Sequence, residues 1–113
     1  MNRQLKIAEL KRLSDRVGPP AFDQAILVEQ TMSDPALAAE ILELFIGQLK
    51  RLEALEWGDL EMAFEMHTLK GAAAVVGALE IEVLAEDWKA QGKRLEFKLK
   101  GAFTRFREAA RAA

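Results

Sequence analysis

Residues 58–78 read GDLEMAFEMHTLKGAAAVVGA, and the pattern in this stretch decides the fold. Met62, Met66, Leu69, Ala73 and Val76 recur at alternating steps of four and three, so at about 100° per residue they share one helix face. The stripe covers roughly 80° of arc, the width of a seam by which one helix of a bundle packs on others. Gly58 is placed to end the preceding helix and Asp59 to cap this one, while Gly77 supplies a left-handed stop. A helix is expected from Leu60 to Val76.

The flanking segments repeat the pattern. From Ala36 to about Trp57, the residues Ala38, Leu42, Phe45, Leu49 and Leu52 form a second seam, widened by Ile41, Leu44, Ile46 and Leu55. Asp34-Pro35 is its start signal, an N-cap followed by proline at the first helical position. Leu79 to Gln91 buries Ile81, Leu84, Ala85 and Trp88 before a stop at Gly92. A last helix, Arg94 to about Arg111, carries Leu95, Leu99, Ala102, Phe106 and Ala109. Asp23 can cap a short helix holding Ala25, Ile26, Val28 and Glu29. Ahead of it, Arg3 to Arg16 carries Leu5, Ile7, Ala8, Leu10 and Leu13 as an amphipathic helix that stops at Gly18-Pro19-Pro20. No proline follows Pro35, and no long stretch alternates apolar with polar residues as a strand would. The expected fold is all-α: an antiparallel up-down-up-down four-helix bundle with additional N-terminal helices. Residues 1–20 form the extension and its break, and residues 21–113 the bundle domain.

Composition narrows function by exclusion. The chain has 113 residues, one domain's worth, of which 50% are hydrophobic and 30% charged, as in an ordinary soluble globular protein. It has no cysteine, which removes disulfides and thiolate metal sites. Neither a signal-peptide core nor a membrane-length apolar run occurs, so a cytoplasmic location without membrane attachment is expected. Sixteen basic residues against eighteen acidic ones give a net charge of -2 and no electrostatic case for nucleic acid. The basic segment Lys89 to Arg107 reads as a solvated helix face. The acidic cluster Glu80, Glu82, Glu86, Asp87 reads likewise, with one i,i+4 pair (Glu82 with Glu86) and no nearby histidine to make a metal site.

The one histidine is the most informative residue. His67 lies roughly 140° from the middle of the apolar stripe and should point away from the core. Lys70 and Gly71 stand one turn on, Ala74 two turns on, and Ala63, Phe64 and Leu60 toward the N-terminus, all on this face. Glycine within a helix costs about 1 kcal/mol relative to alanine. Gly71, followed by three alanines, therefore implies either clearance for another protein to reach the imidazole or close packing on a neighbouring helix. A neutral imidazole is a good nucleophile near pH 7. An ammonium one turn away attracts the oxygens of a phosphoryl group by about 1–3 kcal/mol near a protein surface.

His67-Thr68-Leu69-Lys70-Gly71, the small residues that follow, and Gly77-Ala78 together resemble the signature of histidine-containing phosphotransfer (HPt) domains. Phe22-Asp23, the Asp34-Pro35 start, Phe45 and the Gly58-Asp59 turn also resemble that family's layout, so the resemblance covers about Phe22 to Ala110. It implies a phosphorelay intermediate of two-component signalling that accepts a phosphoryl group from a receiver-domain phospho-aspartate and donates it to another receiver. His67 would be the phosphoacceptor, Lys70 would orient or screen the phosphoryl oxygens, and Gly71 would give clearance. Leu69 and Ala73 would belong to the core, and Gly77 would be structural. Leu60, Ala63, Phe64 and Ala74, with part of the Ile41 to Leu49 surface, would dock the partner; packing under the short Asp23 helix is the other reading of Leu60 and Phe64. Implied partners are response-regulator receiver domains and a hybrid sensor histidine kinase. The protein itself would be a monomeric carrier, not an enzyme, with no cofactor of its own and Mg²⁺ on the receiver. Ala72 and Ala73 depart from the family pattern, since many members have serine there.

Two rivals belong to other classes. A docking module that binds receivers without carrying phosphate would not need His67 or Lys70. A complete histidine kinase would need a glycine-rich nucleotide loop, and none follows the bundle.

Overall fold

The computed structural model describes residues 18–113, apart from the side chains of Asp59 and Leu60. The helix expected from Arg3 to Arg16 lies outside the described residues. Asp23 and Asp34 start the first two helices by the same device. The Oδ1 of Asp23 accepts from the Ala25 N–H at 3.0 Å and caps α1 (Gln24–Gln30). The Oδ1 of Asp34 accepts from the Ala36 and Leu37 N–H groups at 3.0 and 3.1 Å and caps α2 (Pro35–Glu53), with Pro35 in its first turn. Leu27 is the side chain α1 buries.

Helix α2 ends sooner than its apolar pattern suggests. It stops at Glu53 instead of running to Trp57. A continued helix would carry Trp57 away from the seam that buries Leu49 and Leu52. By leaving the helix, Trp57 becomes buried, and its indole N–H donates to the Leu52 carbonyl at 2.8 Å. That carbonyl is among the last of the helix and also accepts from the Leu55 N–H at 3.1 Å, in the turn that closes α2. The indole then packs edge-on against Trp88, with ring centroids 5.7 Å apart. Gly58 consequently does not end α2. It is the N-cap of α3 (Asp59–Val76), and Asp59 is that helix's first residue rather than its cap.

Gly77 closes α3 as expected, in the left-handed region at φ 82°. Helix α4 (Leu79–Gln91) follows almost at once. The expected helix from Arg94 begins instead as a short 3₁₀ turn, Gly92–Leu95, before α5 (Glu96–Ala112).

The seams meet in one core. Met62, Met66, Leu69, Ala73 and Val76 of α3 are all buried, as are Phe45, Leu49 and Leu52 of α2, and Ile81, Ala85 and Trp88 of α4. Leu99, Ala102 and Phe106 of α5 join them, together with Phe103, which lies beside the expected stripe. Ala38, Leu42, Leu84 and Ala110 pack on its rim. Each large apolar side chain buried this way contributes roughly 1.5–3 kcal/mol. Helix α2 contacts α3 and α5, α3 contacts α4, and α4 contacts α5, so the four long helices close a ring, with α1 laid on α2 and α3. Among the described residues there is no strand, and no helix is long and apolar enough to cross a membrane. The architecture is an all-α four-helix bundle.

Candidate functional site

The stripe that seats α3 in the core also aims its opposite face outward. His67 stands on that face near the middle of the helix and is exposed. Leu69 and Ala73, two and six residues on, are fully buried, which fixes the rotation of the helix about its axis. The imidazole is therefore presented to solvent by a rigid element, not by a loop.

On one flank of His67 the surface is apolar. Phe64, at i-3, is 74% exposed. That excludes its packing beneath α1, the other placement open to it. Gly71, at i+4, is exposed, and a Cβ built there would meet nothing within 4 Å. Close packing of α3 on a neighbour therefore does not explain this glycine. Beyond it, Ala72 and Val75 form a shallow groove of ≈ 280 Å³ with Ile41, Leu44 and Gln48 of α2. Leu44 is 68% exposed, so part of the α2 surface named from the sequence does lie open. Ala63 is exposed and Ala74 half-buried; the side chain of Leu60 lies outside the described residues.

The other flank is charged. Lys70, at i+3, reaches across to α4, where its Nζ lies 2.6 Å from Glu86 Oε2. The ion pair is close but lacks the direction of a hydrogen bond, and Glu86 Oε2 is covered with no hydrogen-bond donor aligned to it. Lys89 Nζ donates to the other carboxylate oxygen, Oε1, at 3.1 Å. Lys70, and after it Lys89, hold the Glu86 carboxyl below the usual carboxylate range. These three side chains, His67 and Ala63 border a hollow of ≈ 60 Å³, with Met66, Ala85 and Trp88 beneath.

This corrects the sequence reading in one respect. Glu86 is not simply part of a solvated acidic face, because the packing of α3 on α4 brings it beside the histidine. Its pairing with Lys89 at i+3 could be read from the sequence. Its meeting with Lys70 depends on how two helices cross, which no local pattern encodes. Glu80, of the same cluster, is likewise engaged, accepting from Arg105 of α5 at 2.9 Å.

A second ion pair steadies the helix from its other side. Arg51 of α2 donates to Glu65 at 2.7 Å, and this hydrogen bond lowers the Glu65 carboxyl from its ordinary value. Among the described residues, no group of three or more His, Cys, Asp or Glu side chains is placed to hold a metal ion. Protein-family models, curated proteins and solved structures were all compared with the chain, and none matches. Function is therefore read from the site alone. It offers an exposed imidazole, two ammonium groups on one side, and an apolar groove farther along the opposite flank of α3.

Proposed function

We propose that the chain is a phosphorelay intermediate of two-component signalling. His67 accepts a phosphoryl group from the phospho-aspartate of one receiver domain and donates it to the aspartate of another. In the accepting step a lone pair on an imidazole nitrogen attacks phosphorus. The P–O bond of the acyl phosphate breaks, a P–N bond forms, and the receiver's aspartate leaves as carboxylate. The donating step is the reverse on the second receiver. The protein is then a carrier rather than an enzyme, working as a cytoplasmic monomer, and the Mg²⁺ the chemistry calls for belongs to the receiver.

The observation that carries this reading is the exposed His67 in the middle of α3, with the ammonium of Lys70 one turn away and open space over Gly71. A phosphoryl group on His67 brings charge of roughly -1.5 to -2, which Lys70 is placed to attract. The space over Gly71 lets a convex partner approach the imidazole. The groove lined by Leu44 and Val75, and the exposed Phe64 on the same flank of α3, offer that partner apolar footing. We take the four long helices to alternate in direction, since their connections are too short for crossovers.

The test is phosphotransfer from a phosphorylated receiver domain to the protein and to its His67→Gln variant. Acid-labile, base-stable phosphate on the unmodified chain alone is the expected result. Binding of the receiver without transfer, for every receiver tried, would replace the carrier reading with that of a docking module.

A further inference from the structure

The phosphoryl group arrives at a site whose cations are already engaged. Glu86 stands between Lys70 and Lys89, with one carboxylate oxygen directed at each. Its negative charge borders the same hollow as His67, beside the two ammonium groups that would draw the oxygens of a phosphoryl group. We infer that Glu86 is a built-in competitor, a carboxylate that contends with the phosphoryl group for Lys70 and Lys89 and so limits how firmly His67 retains it. This inference rests on the carrier reading.

Three observations support it. The contact between Lys70 and Glu86 is close, yet both side chains keep much of their exposure (38% and 44%), so the lysine is held without being locked. The Glu86 carboxyl is kept below its usual range by the two lysines, so it stays charged near neutral pH and is not set aside by protonation. The hollow beside His67 is bordered by these same groups, so a phosphoryl group turned toward Lys70 and Lys89 meets Glu86 there. Two positive charges facing one carboxylate leave a single net positive charge beside the imidazole. A phosphoryl group adds roughly -1.5 to -2, and the loaded site then carries an excess of negative charge. A relay benefits from such a balance, since a carrier that holds its cargo too well does not pass it on.

The experiment exchanges phosphate between phosphoimidazole and the protein. The P–N bond of the donor breaks, a P–N bond forms on His67, and imidazole leaves. Because the bond broken and the bond formed are alike, the equilibrium level of phosphohistidine, read by ³¹P NMR, reports the surroundings of His67. Glu86→Gln keeps the shape of the side chain and removes the charge. It should raise the equilibrium constant for loading about three- to tenfold, the scale of one charge acting in a partly exposed site. In a chain that also carries Lys70→Ala and Lys89→Ala, the gain should fall to less than half, because the contested cations are gone.

A gain of equal size in both backgrounds would mean direct repulsion alone and would overturn competition. An unchanged equilibrium with a lowered melting temperature would make Glu86 only a pin between α3 and α4, and would also overturn it. If neither phosphoimidazole nor a phosphorylated receiver loads His67, the carrier reading fails and this inference with it. Loading that ignores Glu86 sinks the inference and leaves the carrier reading standing.

Discussion

Asp23 and Gly77 are joined backbone to backbone: the Asp23 N–H donates to the Gly77 carbonyl at 2.8 Å, across more than fifty residues of chain. Gly77 sits at φ 82°, and a Cβ there would run into the Asp23 carbonyl. Gly77→Ala therefore meets both backbone strain and a collision with main chain. It should lower stability by about 1–3 kcal/mol, measurable as an earlier urea midpoint. The end of the histidine helix and the start of α1 should loosen together, seen as faster amide exchange at Asp23 and Ala78.

Gly71 should behave in the opposite way. With open space around the position, Gly71→Ala should raise stability by about 1 kcal/mol through helix propensity alone. Gly71→Phe should still fold, yet block a partner's approach and reduce transfer to His67. If Gly71→Phe transfers as fast as the unmodified chain, clearance is not what this glycine provides.

Phe64 and Leu44 provide a test of the apolar flank of the site. Both are largely exposed, so replacing either with alanine should change stability by less than about 0.5 kcal/mol. Receiver affinity should fall about tenfold or more for Phe64→Ala, as for an aromatic anchor at the centre of an interface. Titration calorimetry with a receiver domain would read the loss, and unchanged affinity would move the docking surface elsewhere.

Acid should weaken the clamps on α3 in a defined order of sign. The carboxyls of Glu65 and Glu86 both lie below their ordinary value of 4.5 in the folded protein. Their contribution is complete above that unfolded value and is lost as pH falls through the lower folded values. The melting temperature should therefore be flat from about pH 8 down to about pH 5 and decline below about pH 4. The Arg51 and Glu65 pair accounts for less than about 1 kcal/mol of this, being partly exposed. Glu65→Gln should blunt the decline.

Most of α3 was legible before its structure, because its signals are local. The seam of Met62, Met66, Leu69, Ala73 and Val76 sets the rotation of the helix, the rotation exposes His67, and Gly77 marks the end. The end of α2 was not legible. Leu55 and Trp57 continue an apolar run, and no glycine or proline announces that the chain leaves the helix at Ala54 so that an indole can reach the core. Glu86 was hidden for a related reason. Its charge could be read from the sequence, but its place beside Lys70 follows from the crossing of α3 and α4.

The Trp57–Trp88 pair gives the molecule an optical handle. The chain has two tryptophans and no tyrosine, so its near-ultraviolet emission comes almost wholly from these two indoles. Both are buried against each other in the core, and Trp88 also forms part of the floor of the hollow beside His67. Unfolding would separate the rings and shift the emission to longer wavelength. A charge deposited above Trp88 would perturb the same emission without unfolding. The protein thus carries an intrinsic reporter through which loading and melting can be followed separately, with no added label.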